Sequence, residues 1–141
     1  VQTLTGITLA KTWRITMING GCFCGAIRYA IEDGDYIVAN CHCTMCRKTS
    51  AAAFFTWIVV PKNQFHYTKG TPETLQSSTS GTRYFCRTCG TPLLCSNSDH
   101  PKQVDITTGS LDDPGRFPPK YAVFEDTKLE WLSTTELPSK S

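Results

Sequence analysis

The chain has 141 residues and a formal net charge of +2, and charged residues make up 18% of it. This length fits one domain with a modest core, and the low charge argues against extended nucleic-acid binding. No run approaches the ~18 apolar residues of a membrane-spanning helix, and residues 1–20 lack the apolar stretch of a secretory leader. We therefore expect a cytoplasmic protein with no membrane or nucleic-acid partner, in which clustered cysteines bind metal rather than form disulfides.

Short strand patterns dominate the chain. An alternating segment includes Trp13, Ile15 and Met17, and further β-rich segments lie at 27–31, 36–38, 53–60, 65–67, 83–85, 92–95, 104–106, 121–124 and 129–131. The segment 53–60 reads AFFTWIVV, which predicts a central buried strand whose aromatic residues belong to the core. The one helical window covers about residues 44–50. The sequence therefore predicts one mainly β domain with a single short helix.

Seven of the eight cysteines fall into three groups with metal-ligand spacing: Cys22-x-Cys24, Cys41-x-Cys43-x-x-Cys46 and Cys86-x-x-Cys89. The first and last pairs are each followed by a glycine, Gly25 and Gly90, which permits the positive φ that turns a backbone around a metal. Together the two pairs supply four thiolates, the full set of a closed structural zinc site. We predict that they share one zinc, which would connect an early turn to the second half of the sheet.

The central group supplies only three thiolates, so a zinc held there would keep one coordination position for a further ligand. A thiol that entered this position would lose its proton and become a nucleophile at neutral pH. Arg47 and Lys48 follow the group directly, where they would balance sulfur charge or hold a substrate carboxylate. The alternative is a second closed structural site, completed by His42, Cys95 or another residue, although His42 lies between two ligands, where its ring would point away from the ion. Cys95 follows Leu93 at strand spacing, however, which favours a small apolar role in the core.

Three motifs together resemble the glutathione-dependent formaldehyde-activating enzyme family, which also includes centromere protein V. They read GCFCGAIRY at 21–29, CHCTMCRKTS at 41–50 and YFCRTCGTPL at 84–93. The resemblance covers about residues 20–138 and implies a zinc-binding β-tent domain of antiparallel sheets. Residues 1–19 would then form an N-terminal extension and first strand, and residues 139–141 a tail. One departure is the pair Ala51 and Ala52, where many relatives have glycine and where alanine would narrow the pocket.

The resemblance also implies a role for each cysteine group. Cys22, Cys24, Cys86 and Cys89 would bind a structural zinc, and Cys41, Cys43 and Cys46 would be the catalytic ligands of a second, labile zinc. The implied activity is that of a carbon–sulfur lyase acting on glutathione, or another small thiol, and formaldehyde to give an S-hydroxymethyl adduct. The alternative is a non-enzymatic, zinc-stabilised interaction module of the same fold, as centromere protein V and small guanine-nucleotide-exchange relatives of the fold suggest.

Overall fold

The structure is a computed structural model and describes residues 16–133. The strand positions predicted at Trp13 and Ile15, most of the predicted N-terminal extension and the tail at 139–141 lie outside the described residues. Within 16–133 the chain forms ten strands and one α-helix: β1 (Met17–Gly21), β2 (Arg28–Glu32), β3 (Ile37–Cys41), α1 (Thr44–Ser50), β4 (Phe55–Pro61), β5 (Phe65–Lys69), β6 (Glu73–Gln76), β7 (Gly81–Phe85), β8 (Pro92–Asn97), β9 (Gln103–Thr107) and β10 (Tyr121–Val123). The predicted fold class, mainly β with one short helix, is confirmed. None of the helices within the described range is long and apolar enough to cross a membrane.

The strands form two sheets. The smaller has the order β1-β2-β5 and the larger has the order β10-β3-β4-β9-β8-β7-β6. Neighbouring strands pair antiparallel, as expected, except that β10 pairs parallel with β3. The parallel pair arises because the chain crosses from β9 to the far edge of the large sheet through residues 108–120, in place of a tight hairpin.

The main core lies between the two sheets. Since side chains alternate along a strand, every second residue of the large sheet faces the small one. Val38, Ile58, Leu94 and Ile106 lie on this inner face and are at most 5% exposed. They form one apolar cluster with buried residues of the small sheet, including Ile18, Tyr29 and Ile31.

The outer face of the large sheet carries a second, smaller cluster of buried residues. Cys41, Cys46 and Trp57 form it, and the half-buried Phe55 and Cys95 pack against it. The expectation that the aromatic residues of β4 belong to the core is confirmed for Trp57, which is buried in this second cluster, and the half-buried Phe55 packs against it. Strand β4 is central as predicted, lying between β3 and β9.

Helix α1 has the bounds expected from the sequence, and both of its ends have a local cause. At the start, Sγ of Cys43 accepts a hydrogen bond from the backbone N–H of Cys46 at 3.2 Å, as a capping side chain does. At the end, Ala51 adopts a left-handed conformation with φ 54° and ψ 22°. Glycine is the residue usually found in this conformation, because a Cβ crowds the backbone there.

The strands in the structure differ from the predicted ones in two places. The segment 129–131, predicted as a strand, lies partly in the 3-10 helix Glu130–Ser133. Strand β6 was not predicted, because its four residues are all exposed and only Leu75 is strongly apolar. It forms through pairing with β7 at the edge of the sheet, which is a contact that local periodicity does not encode.

The left-handed end of α1 yields a prediction about stability. Replacing Ala51 by glycine should raise the free energy of unfolding by about 0.5–1 kcal/mol, because relief of left-handed strain exceeds the added entropy of the unfolded chain. The matched control is Ala52→Gly at the exposed neighbour, whose φ is not positive. It should lower the free energy of unfolding by a similar amount. Urea denaturation of the zinc-loaded proteins measures both, and equal losses in the two variants would contradict the prediction.

Candidate functional site

The structure brings the two outer cysteine pairs together. The Sγ atoms of Cys22, Cys24, Cys86 and Cys89 all lie within 4.8 Å of one another. Two of these distances are 3.6 Å, between Cys22 and Cys24, and 3.7 Å, between Cys24 and Cys86. Four sulfurs around a tetrahedral zinc with ~2.3 Å bonds lie about 3.8 Å apart. We call this group the quartet; its spacing fits a four-thiolate zinc site.

Each half of the quartet stands in a turn of the same construction. Cys22 N–H bonds to the carbonyl of Ile27 at 3.0 Å, and Cys86 N–H bonds to the carbonyl of Thr91 at 3.0 Å. Inside the turns, the N–H groups of Gly25 and Gly90 donate back to the first cysteine's carbonyl. Both glycines have positive φ, 78° and 77°, as their spacing predicted. The turns therefore aim two sulfurs each at one point.

Thr91 connects the two turns of the quartet. Its hydroxyl oxygen accepts a hydrogen bond from Phe23 N–H at 3.1 Å and lies 3.2 Å from Sγ of Cys89. Hydrogen bonding by the Thr91 hydroxyl, with further backbone donors, lowers the pKa of Cys89 to about 5. On the opposite turn, the N–H of Ile27 lies 3.2 Å from Sγ of Cys22. These donors favour thiolates, the form in which cysteine binds metal.

The three central cysteines also form a group, which we call the trio. Their Sγ atoms all lie within 4.8 Å of one another. Cys41 ends β3, Cys43 caps α1 and Cys46 lies in the first turn of that helix. Cys41 and Cys46 are each 5% exposed, whereas Cys43 is half-buried. The donor set, three soft thiolates on one short segment, suits zinc with one position left for another ligand.

Arg83 supplies the positive charge beside the trio. Its Nη2 lies 3.6 Å from Sγ of Cys46, and its guanidinium lies over the ring of Trp57, 5.9 Å from the centroid. The pKa of Cys46 is lowered to about 5, first by the hydrogen bond from the Cys41 thiol and further by Arg83. The same sulfur pair raises the pKa of Cys41, with burial adding to the effect. A metal cation would stabilise both sulfurs as thiolates.

The two residues considered as a fourth protein ligand do not join the trio in the part of the chain that the structure describes. The His42 ring packs on Phe54, with centroids 5.2 Å apart, and is 4% exposed. Cys95 packs against the outer-face cluster, but its sulfur is not within the group of mutually close ligand atoms. Burial raises the pKa of the Cys95 thiol, as expected of a small core residue. All eight cysteines lie in the described range as free thiols.

A cavity of about 280 Å³ lies near the trio and shares neighbouring residues with it, although none of the three cysteines lines the cavity. Its apolar wall comes mainly from Phe55, Trp57, Leu75, Phe85 and Leu94. Arg83 lines the cavity as well and is the residue that bonds to Cys46. Thr49 of α1 and Gly90 of the second quartet turn also line it, so the cavity extends from the helix of the trio to a turn of the quartet.

Arg47 and Lys48 line a different space, an open cavity of about 540 Å³ with Ala51–Ala53, Leu129 and Trp131. The sequence pointed to these two cations and missed Arg83. No local signal could have identified Arg83, since it lies 37 residues from Cys46 and reaches it only through sheet pairing. In the register, Arg83 lies opposite Cys95 on β8, and Cys95 lies opposite Asp105 on β9.

Comparisons with known proteins agree with this geometry. A family model described as glutathione-dependent formaldehyde-activating enzyme matches residues 17–127. A Halomonas elongata protein, provisionally named a glutathione-dependent formaldehyde-activating enzyme, is 24% identical over 125 residues, which are 82% of this chain and 80% of that protein. A crystal structure of a Rhodobacter sphaeroides protein matches with a TM-score of 0.62 at 20% identity, over 75% of this chain and 100% of that chain. At this identity the structural likeness shows a shared fold.

The position of Thr91 predicts how firmly the quartet would hold zinc. Replacing Thr91 by valine keeps the shape and removes the hydroxyl at Cys89, so the affinity for zinc should fall by about 10–100-fold. Competition with a chromogenic chelator measures the change. Thr88→Val, an exposed position in the same turn, is the control and should leave the affinity unchanged. Equal affinities in the Thr91 variant and the wild type would show that the hydroxyl does not support the site.

Proposed function

Because the chain belongs to the glutathione-dependent formaldehyde-activating enzyme family, we propose that it is a zinc-dependent enzyme of the carbon–sulfur lyase type that joins a thiol to a small aldehyde. Glutathione and formaldehyde are the pair that the family description names. The observation that carries the proposal is the trio itself. Three thiols converge within 4.8 Å beside one guanidinium and one apolar cavity, on a face of the sheet separate from the main core.

In this proposal the residues of the trio hold the zinc, which when bound supplies a Lewis acid that favours the thiolate form of a substrate thiol. Cys41 and Cys46 hold their sulfurs in a buried setting, and Cys43 is the more accessible ligand. Arg83 offsets the net negative charge of three thiolates and orients Cys46 through its hydrogen bond. Trp57 and Phe55 pack against the ligands and limit the access of water.

The reaction balances without a redox partner. The substrate sulfur forms a bond to the carbonyl carbon, the C=O double bond becomes a C–O single bond, and the proton lost by the thiol goes to the oxygen. The reverse reaction breaks the C–S bond and returns the proton to sulfur. Binding both reactants side by side converts a bimolecular reaction into an effectively unimolecular one.

The quartet has a structural role in the proposal. It joins turns that are 62 residues apart between Cys24 and Cys86, and cross-linking so long a loop restricts the unfolded chain. Binding of zinc there would form part of the free energy of folding. The trio spans only residues 41–46 and cross-links very little chain. Binding and release of its metal should therefore affect the stability of the fold less than at the quartet.

Catalysis is tested by the exchange of glutathione and formaldehyde with their S-hydroxymethyl adduct, followed by NMR. We expect the zinc-loaded protein to accelerate exchange over buffer, and Cys43→Ser to reduce the acceleration by at least about 100-fold, since removing one of three ligands weakens the metal that activates the thiol. Cys95→Ser is the matched control, because it changes a nearby cysteine outside the trio. No acceleration by wild-type protein with zinc bound would reject the formaldehyde reaction.

The division between the two cysteine groups is tested by metal content and stability. We expect two zinc ions per chain, of which the one at the trio is removed by a mild chelator without unfolding. Cys86→Ser should lower the thermal midpoint severely, whereas Cys43→Ser should lose one zinc and keep most of the stability. Inductively coupled plasma mass spectrometry and circular dichroism give the two readouts. Two inert ions, or equal destabilisation by both substitutions, would favour the alternative of a non-enzymatic zinc-stabilised interaction module.

A further inference from the structure

The cavity beside the trio is larger than formaldehyde requires. Its volume is about 280 Å³, and an apolar cavity of about 150 Å³ is enough to hold benzene. Formaldehyde has only two heavy atoms and would leave almost all of this space empty. The size of the cavity therefore points to a substrate with a substituent of about six carbons or a ring.

The chemistry of the cavity wall narrows the choice of substituent. Phe55, Trp57, Leu75 and Phe85 give the cavity a mostly apolar surface, and among the residues of 16–133 that line it only Arg83 is charged. Glutathione has two carboxylates and two peptide groups, whose burial against such a wall would leave polar groups unpaired. Binding of an apolar group there is favourable in proportion to the apolar area that it removes from water.

The same residues connect the cavity to the trio. Trp57 is 8% exposed and belongs to the buried cluster with Cys41 and Cys46, and Phe55 packs on that cluster. Arg83 is one hydrogen bond away from Cys46, at 3.6 Å. Because Phe55, Trp57 and Arg83 contact the trio and also line the cavity, a carbon that reacts at the trio would lie beside it.

Building on the thiol–aldehyde reaction proposed above, we propose that this cavity binds the apolar substituent of the aldehyde. The enzyme then acts on aldehydes with an apolar chain or ring of about six carbons, of which formaldehyde is the smallest and poorest case. The aldehyde rather than the thiol occupies the cavity, because glutathione, the thiol that the family description names, is polar along its whole length. The bonds formed and broken are those given above: S–C forms, and the thiol proton moves to the carbonyl oxygen.

The first test is a chain-length series with the zinc-loaded wild-type protein. Glutathione is combined in turn with formaldehyde, propanal, hexanal and dodecanal, and kcat/KM is expressed relative to the rate in buffer. We expect the relative kcat/KM to rise by at least about tenfold from formaldehyde to hexanal, since each added methylene finds an apolar site, and to fall again at dodecanal, which exceeds the cavity. A flat series overturns the inference while the turnover of formaldehyde still supports the proposed function. No turnover with any aldehyde overturns both.

The second test fills the cavity from its rim. Leu75 lies on the edge strand β6 and is 50% exposed, so Leu75→Trp adds bulk without disturbing the main core. We expect the ratio of kcat/KM for hexanal to kcat/KM for formaldehyde to fall about tenfold in this variant, with a wild-type circular dichroism spectrum as the sign that it is folded. Ile37→Trp, on β3 and also exposed, does not line the cavity and is the control. An equal loss for both aldehydes, or for both variants, overturns the inference.

A binding measurement completes the test without catalysis. Hexan-1-ol keeps the chain of hexanal and has no carbonyl to react. In ¹H–¹⁵N NMR titrations of the zinc-loaded protein, it should shift the resonances of residues 55–57 and 83–85, with about tenfold weaker binding in Leu75→Trp. The absence of shifts at these residues in the wild-type protein overturns the assignment of the cavity.

Discussion

The contact between the two quartet turns is the constraint on which the rest of the structure depends. Cys24 meets Cys22 at 3.6 Å and Cys86 at 3.7 Å, which links the start of the small sheet to the end of β7 in the large one. A separate polar contact joins the small sheet to the crossing segment 108–120, where Arg28 of β2 donates two hydrogen bonds to Asp112, one of them at 2.9 Å. In a chain of this size the apolar core is modest, so a covalent or metal link between the sheets adds stability that the core alone does not supply.

The two faces of the large sheet carry different groups of residues. Its inner face is filled by residues such as Ile58 and Ile106, both fully buried, and packs on the small sheet. Its outer face supports the trio through Trp57 and Phe55 and carries Arg83. Because alternate residues of one strand serve the two faces, cavity residues outside the main core cluster, such as Phe55 and Leu75, can change without removing apolar contacts from it, whereas Leu94 belongs to both. Leu75, half-exposed on an edge strand, is the clearest such position.

The electrostatics of the outer face follow from burial. Three thiolates close together repel one another, and each would be costly away from water without a cation. The guanidinium of Arg83 supplies part of the positive charge that the thiolates require. Its Nε is buried with no hydrogen-bond partner among the described residues. Asp105 lies two strands away in the same cross-strand row, where burial raises the pKa of its carboxyl. Arg83 therefore lies between the sulfur of Cys46 and the cavity, a position from which it would act on both in the proposed reaction.

The sequence by itself determined the features whose geometry is local. Cysteine spacing defined both groups, Gly25 and Gly90 indicated the positive φ of the turns, and the helical window matched α1 at Thr44–Ser50. These succeeded because the relevant atoms lie within a few residues of one another. The parallel β10, the unpredicted β6 and the placement of Arg83 beside Cys46 came only from the tertiary structure. Each depends on which strands pair and in which register, and that choice is made by burial over the whole sheet rather than by any local pattern.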